Sequence, residues 1–137
     1  MTTKVGFIVL EAVLAPICEP QEPVYSKLLK VNGEDENQMR AVIREFIKPY
    51  YDSFDKKSRE VIADTILYLS LEKKIPNNVS FDSLPTPFDL THEMSKFCTW
   101  LTKELMIEKE DFNLAQCEYT DDLSLVHRLR RTNYLTV

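Results

Sequence analysis

The closest match to a metal-binding pattern in this sequence is Asp89-x-x-His92, followed by Glu93. A carboxylate and an imidazole at this spacing share one face of a helix, as metal ligands in helical bundles do. The pair supplies too few ligands by itself, and the second histidine, His127, lies 35 residues further along. Asp89 and Thr91 are also residue types that cap helix starts. We therefore expect neither a metal ion nor a cofactor.

Cysteine is the other residue type that suggests chemistry here. Cys98 lies on the apolar stripe of a predicted helix, where a thiol behaves as a small hydrophobic side chain. No two of the three cysteines form a C-x-x-C pair, so we expect reduced thiols. The sequence predicts no enzyme. A site assembled by the fold from Cys117, His127 and distant carboxylates is the alternative that it leaves open.

Gly6 and Gly33 are the only glycines among the 137 residues. The P-loop and the dinucleotide-binding fingerprint each need several glycines within a few residues, so both are excluded. Tight hairpins also depend on glycine. The scarcity of glycine therefore argues against an all-β fold.

The segment from Glu104 to Asp122 has the most one-sided charge in the chain. It contains seven acidic residues and one basic residue, Lys109, with aromatic residues interleaved. Acidic side chains around a few aromatic anchors suit contact with a basic protein surface. The residues that we predict to bind a partner are Glu104, Glu108, Glu110, Asp111, Phe112, Glu118, Tyr119, Asp121 and Asp122. A solvated connector without a binding role is the alternative.

A basic cluster, 127–131, stands near the C-terminus. In an alternative interpretation, Arg128, Arg130 and Arg131 bind RNA, DNA or a phosphate, with Tyr134 available for stacking. Acidic residues precede the cluster on the same predicted helix. Because acids near a helix start and cations near its end stabilise any helix, we favour a structural role for these arginines.

Hydrophobic periodicity predicts a mostly α-helical fold in a single domain, 1–137: a compact bundle of four to five helices. The apolar stripes cover 39–50, 61–71, 94–105 and 123–129. Pro49 is expected to kink or end the first helix, whereas the second is apolar around so much of its circumference that it should be central. Residues 4–15 fit a helix or a short N-terminal strand element nearly equally.

The boundaries of the helices follow from capping residues. The expected caps are Asp35 paired with Gln38, Asp52 or Asp55, Thr91, and Thr120. Residues 75–90 contain three prolines and no apolar pattern of their own, so we expect them to form a linker.

The apolar run Val5–Leu10 near the N-terminus is too short to span a bilayer. Glu11 interrupts the run, and Pro16 follows the point where a signal peptide would have to be cleaved. We therefore interpret the run as part of the fold and expect a cytoplasmic protein without membrane association.

The formal net charge of −5 disfavours general attraction to nucleic acid and favours a basic partner. Together with the acidic segment, it predicts a small protein-binding inhibitor of the immunity or antitoxin type. Such a protein would neutralise a basic toxin, for instance a nuclease, by masking its active surface. The alternative is a helical nucleic-acid-associated regulator or assembly subunit that uses the three C-terminal arginines.

Overall fold

The fold is mostly helical in the computed structural model, which describes residues 2–72, 81 and 84–132. The helices are α1 (Phe7–Val13), α2 (Val24–Leu28), α3 (Glu36–Val42), α4 (Lys48–Asp52), α5 (Lys56–Leu71), α6 (Met94–Glu104) and α7 (Ser124–His127). Two strands, β1 (Thr3–Val5) and β2 (Cys117–Tyr119), form a parallel pair. This confirms the predicted helical fold with an N-terminal strand element. Most of the predicted linker, at 75–80 and 82–83, and the residues 133–137 lie outside the described part.

The longest helix, α5, is central, as its apolar circumference predicts. It packs against α6, α1 and β1. Its buried side chains are Ser58, Ile62, Ala63, Thr65, Ile66, Tyr68 and Leu69. Asp55 caps the helix by accepting a hydrogen bond from the backbone N–H of Ser58 at 2.8 Å. None of the helices in the described ranges is long and apolar enough to cross a membrane.

The helix that precedes α5 changes its winding before Pro49. Asp35 caps α3 through the backbone N–H of Gln38, at 3.0 Å, as the sequence predicts. A π-helical turn, Ile43–Ile47, then joins α3 to α4, and Pro49 lies in the first turn of α4. Proline has no N–H and its ring crowds the preceding turn, so a widened turn lets the chain continue where an ideal α-helix would break.

The apolar N-terminal run divides at Gly6 into β1 and α1. Val5 pairs with Tyr119 in the parallel register, and its carbonyl oxygen accepts a hydrogen bond from the N–H of Thr120 at 2.8 Å. A β-carbon at Gly6 would overlap the carbonyl oxygen of Thr120, and one at Gly33 would overlap that of Asp89. Both glycines therefore lie where two distant backbone segments touch.

Two of the predicted helix starts are wrong. Thr91 is fully buried and accepts a hydrogen bond from the N–H of Glu93, but α6 begins after Glu93 without a side-chain cap. The last helix is a single turn that begins at Ser124, because the side chains of Thr120 and Asp122 accept hydrogen bonds in successive tight turns before it. Its buried apolar residue is Leu125. Of the predicted stripe, Leu129 packs against the core, whereas Leu123 is 58% exposed.

Gly6→Ala tests whether close backbone contact holds the N-terminal strand in place. The added methyl group must push β1 away from Thr120, so we expect a loss of about 1–3 kcal/mol in the free energy of unfolding. Urea denaturation followed by circular dichroism measures the change. Lys4→Ala, on an exposed position of the same strand, serves as the control and should stay within about 0.5 kcal/mol of the parent. Equal stability of the Gly6→Ala variant and the parent would contradict this role.

Candidate protein-binding surface

The loop that follows α6, residues 105–111, carries most of the candidate surface, and we call it the acidic loop. It begins in a Schellman motif: the N–H of Ile107 donates to the carbonyl of Thr102 at 3.0 Å, and that of Met106 donates to Lys103 at 3.3 Å. Met106 has φ of 57°, the left-handed conformation that such a motif requires. The turn buries Ile107 and leaves Met106 74% exposed.

An ion pair fixes the acidic loop to the central helix. Nζ of Lys109 lies 2.7 Å from Oδ1 of Asp64 on α5, and the two side chains are only 21% and 16% exposed. Lys109 is the single basic residue of the segment 104–122, so this contact neutralises it internally. What the loop presents to solvent is therefore negative charge.

Three carboxylates of the loop face solvent: Glu108, Glu110 and Asp111 are exposed. Within the described part of the chain, none of the three takes part in an ion pair. They line an open groove of about 720 Å³ whose other wall comes from α4 and the first half of α5. The groove's further lining residues are Tyr51, Asp52, Lys56, Arg59, Glu60, Ala63, Leu105, Met106, Ile107 and Lys109.

Glu104, predicted as a partner contact, lies inside the protein. Its side chain is 7% exposed and its oxygens lie 3.3 Å from Arg40 and 2.8 Å from Arg44. The two arginines therefore hold α6 against α3 and the π-helical turn. Their spacing of four residues, which places both on one face of a helix, is the sequence signal that points to a shared acidic partner.

The two aromatic residues of the segment are half-buried. Phe112 and Tyr119 both pack against the hydrophobic core. The hydroxyl oxygen of Tyr119 accepts a hydrogen bond from the N–H of Phe7 at 3.3 Å. Burial, with the nearby Asp121 carboxylate, raises the pKa of Tyr119 to about 12. Both rings support the fold, and the exposed apolar side chain on this surface is that of Met106, which the sequence analysis did not single out.

The other predicted acids, Glu118, Asp121 and Asp122, lie outside the groove. Glu118 is exposed on β2, where it is in register with Lys4. Asp122 accepts a hydrogen bond from the N–H of Ser124, which holds the pKa of Asp122 below its usual range. The structure thus brings together Glu108, Glu110 and Asp111, and it places the remaining acids apart from them.

Two arginines of the C-terminal cluster are engaged with the rest of the protein. The N–H of Arg130 donates to Oγ of Ser58, and its carbonyl accepts from the N–H of Asp55, both at 2.7 Å. Nε of Arg131 donates to Oγ of Ser53 at 2.7 Å, and its guanidinium lies 4.6 Å from the centre of the Tyr50 ring. These contacts hold residues 130 and 131 against the end of α4 and the start of α5. All three arginines are nevertheless exposed.

The groups considered for catalysis differ in burial and in the partners they contact. Cys98 is fully buried, and burial raises the pKa of its thiol. The Cys117 thiol donates to the carbonyl of Asn113 at 3.6 Å, and burial followed by the charge of Asp64 raises its pKa. His127 is exposed. Within 2–72, 81 and 84–132, no three His, Cys, Asp or Glu side chains are grouped so that they could hold a metal ion.

The surface of the acidic loop is suited to binding. Carboxylates that act as acid–base catalysts need a partly buried, apolar setting, whereas those of the loop are exposed. Exposed carboxylates beside an apolar side chain can instead contact a surface that is both cationic and apolar.

The chain matches no protein-family model, no curated protein and no solved structure.

Glu104→Gln tests the assignment of this residue to the fold. The neutral amide loses the charge-assisted hydrogen bonds to Arg40 and Arg44, so we expect the free energy of unfolding to fall by about 1–2 kcal/mol. Urea denaturation again provides the measurement. Glu36→Gln is the matched control, because Glu36 pairs with Arg40 at an exposed i,i+4 position and its loss should cost at most about 0.5 kcal/mol. Equal effects of the two substitutions would show that burial of Glu104 does not strengthen the contribution of its ion pairs to stability.

Proposed function

We propose that this protein is a small acidic inhibitor, of the immunity or antitoxin type, that binds a basic protein. The expected partner is a toxin, such as a nuclease, whose active surface it covers. One observation carries the proposal: among the residues that the structure describes, Glu108, Glu110 and Asp111 are exposed and form no ion pair. The only base of their loop, Lys109, is already paired with Asp64.

The charge of the acidic loop supports a cationic partner. Three carboxylates within four residues attract a basic surface over about 10 Å at moderate ionic strength, which speeds encounter and selects against acidic proteins. A surface that binds nucleic acid is rich in lysine and arginine because it must neutralise phosphates. Carboxylates of the inhibitor would form ion pairs with those lysines and arginines in place of the phosphates.

Contacts within the protein also hold the acidic loop in place without a partner. The Schellman hydrogen bonds fix its start, the Lys109–Asp64 pair fixes its middle, and the N–H of Phe112 donates to the carbonyl of Lys109 at 3.2 Å. A loop that is ordered in advance loses less conformational entropy on binding. This arrangement favours a tight complex from a small surface.

Reversal of the three loop charges tests the proposal. For Glu108→Lys/Glu110→Lys/Asp111→Lys we expect association with the captured partner to slow about 10-fold or more and to lose most of its salt dependence. The partner is first captured from nuclease-treated native lysate, and rates are then measured by surface plasmon resonance with the purified proteins.

The matched control is Asp89→Lys/Glu118→Lys/Asp121→Lys, which changes the net charge equally at exposed positions outside the groove. Its association rate should change much less than that of the loop variant. Equal slowing in both variants would mean that net charge alone drives binding. Unchanged binding by the loop variant would remove the acidic loop from the proposal.

A second candidate, binding of nucleic acid, is favoured by cations at the start of α5. Lys56, Lys57 and Arg59 occupy its first turn, where the helix dipole disfavours positive charge. Arg130 lies beside them, since its N–H donates to Oγ of Ser58 and its carbonyl accepts from the N–H of Asp55, both at 2.7 Å. Cations clustered at the N-terminus of a helix, where its dipole disfavours them, would be stabilised by a bound polyanion such as nucleic acid.

This candidate predicts that a fluorescent single-stranded RNA or double-stranded DNA oligonucleotide binds at low salt and dissociates steeply as salt rises. The variant Arg128→Ala/Arg130→Ala/Arg131→Ala should then lose the binding, as fluorescence anisotropy would show. Lys27→Ala/Lys30→Ala/Lys103→Ala, on α2, just beyond it and on α6, is the control of equal charge. Absence of binding by the parent at low salt would eliminate the candidate.

A further inference from the structure

The acidic loop contains a methionine at a position where helices favour glycine. Met106 is the residue just beyond the end of α6 in the Schellman motif, and its φ of 57° lies in the left-handed region. Glycine adopts this conformation without strain and asparagine tolerates it, whereas a β-carbon clashes with the backbone carbonyl. Glycine would relieve the backbone strain at this position, yet the protein has a methionine here.

The side chain that is retained is apolar and directed to solvent. Met106 is 74% exposed, the largest exposed fraction among the large hydrophobic residues of the described chain. A single exposed hydrophobic residue is ordinary on a protein surface. Here it coincides with the strained backbone and with the groove that Glu108, Glu110 and Asp111 also line.

The backbone under Met106 is rigid. Its two neighbours, Leu105 and Ile107, are buried in the core, and the Schellman hydrogen bonds hold the peptide units on both sides. The side chain is unbranched, and its thioether adapts to irregular apolar pockets, as methionines at binding surfaces do. It is therefore a flexible apolar group on a fixed base.

Resting on the proposed function, we infer that Met106 is the apolar anchor of the interface and enters an apolar pocket on the basic partner. Lysine and arginine residues at the edge of that pocket pair with Glu108, Glu110 and Asp111. The charge complementarity selects a basic protein over a symmetric contact with a second copy of this chain, since two acidic loops facing each other repel. Apolar burial at the centre with charges at the rim is the usual arrangement of a small, tight interface.

The experiment uses the full chain with Met106→Gly, Met106→Leu or Leu123→Gly as immobilised bait in nuclease-treated native lysate. Leu123 is the control, because it is exposed but lies outside the groove. Mass spectrometry quantifies the captured protein, and calorimetry with the purified partner gives the affinity. Thermal unfolding of each bait is recorded in parallel.

We expect Met106→Gly to lose affinity about 10-fold or more, as truncation of an interface anchor does. Its unfolding midpoint should stay equal or rise by about 2 °C, because glycine relieves the left-handed backbone. A variant that binds less without being less stable separates the anchor role from misfolding. Met106→Leu, which retains an apolar side chain, should bind within about 3-fold of the parent, and Leu123→Gly within about 2-fold.

The outcomes distinguish the anchor from the proposed function on which it rests. Undiminished capture by Met106→Gly, together with loss of capture in the charge-reversed acidic loop, overturns the anchor and leaves the inhibitor proposal intact. An equal loss in Leu123→Gly likewise overturns it, because the effect would not be specific to position 106. No basic protein bound by the parent chain overturns both proposals.

Discussion

The burial of α5 on most of its circumference is the constraint on which the rest of the described fold depends. A helix of sixteen residues with apolar side chains on several faces must be covered on all of them, and α1, α6 and β1 supply that cover. The acidic loop contacts the same helix through the Lys109–Asp64 pair, and the backbone of Arg130 contacts its first turn through Ser58. Both candidate surfaces are therefore attached to α5.

Local patterns in the sequence predict much of this architecture. The stripes of α5 and α6 identify the buried helix pair, and Asp35 and Asp55 identify two helix starts, because each signal lies within a few residues of its effect. The last helix is predicted poorly, since successive tight turns at Thr120 and Asp122 compete with helix formation there. Whether residues 4–15 form a strand or a helix depends on a partner strand more than a hundred residues away.

The candidate surface is only partly predictable for the same reason. Charge density alone points to the segment 104–122, but it does not show that Glu104 forms ion pairs with two arginines some sixty residues away. Nor does it show that Lys109 is neutralised by Asp64. The prominence of Met106 follows from the way α6 ends, which depends on the burial of the residues on either side of it. Tertiary contacts thus decide which acidic residues of the segment remain exposed and able to contact a partner.

Chemical labelling of carboxylates in native lysate tests most directly whether the acidic loop is the binding surface. The protein is labelled with a carbodiimide and an amine, once in lysate and once after partners are removed in about 1 M salt, where charge attraction is screened. Peptide mass spectrometry then compares the labelling rate of each carboxylate. We predict that Glu108, Glu110 and Asp111 are labelled more slowly in lysate, while Glu118 and Asp121 are labelled equally in both states. Equal rates at all five carboxylates would contradict the proposed surface.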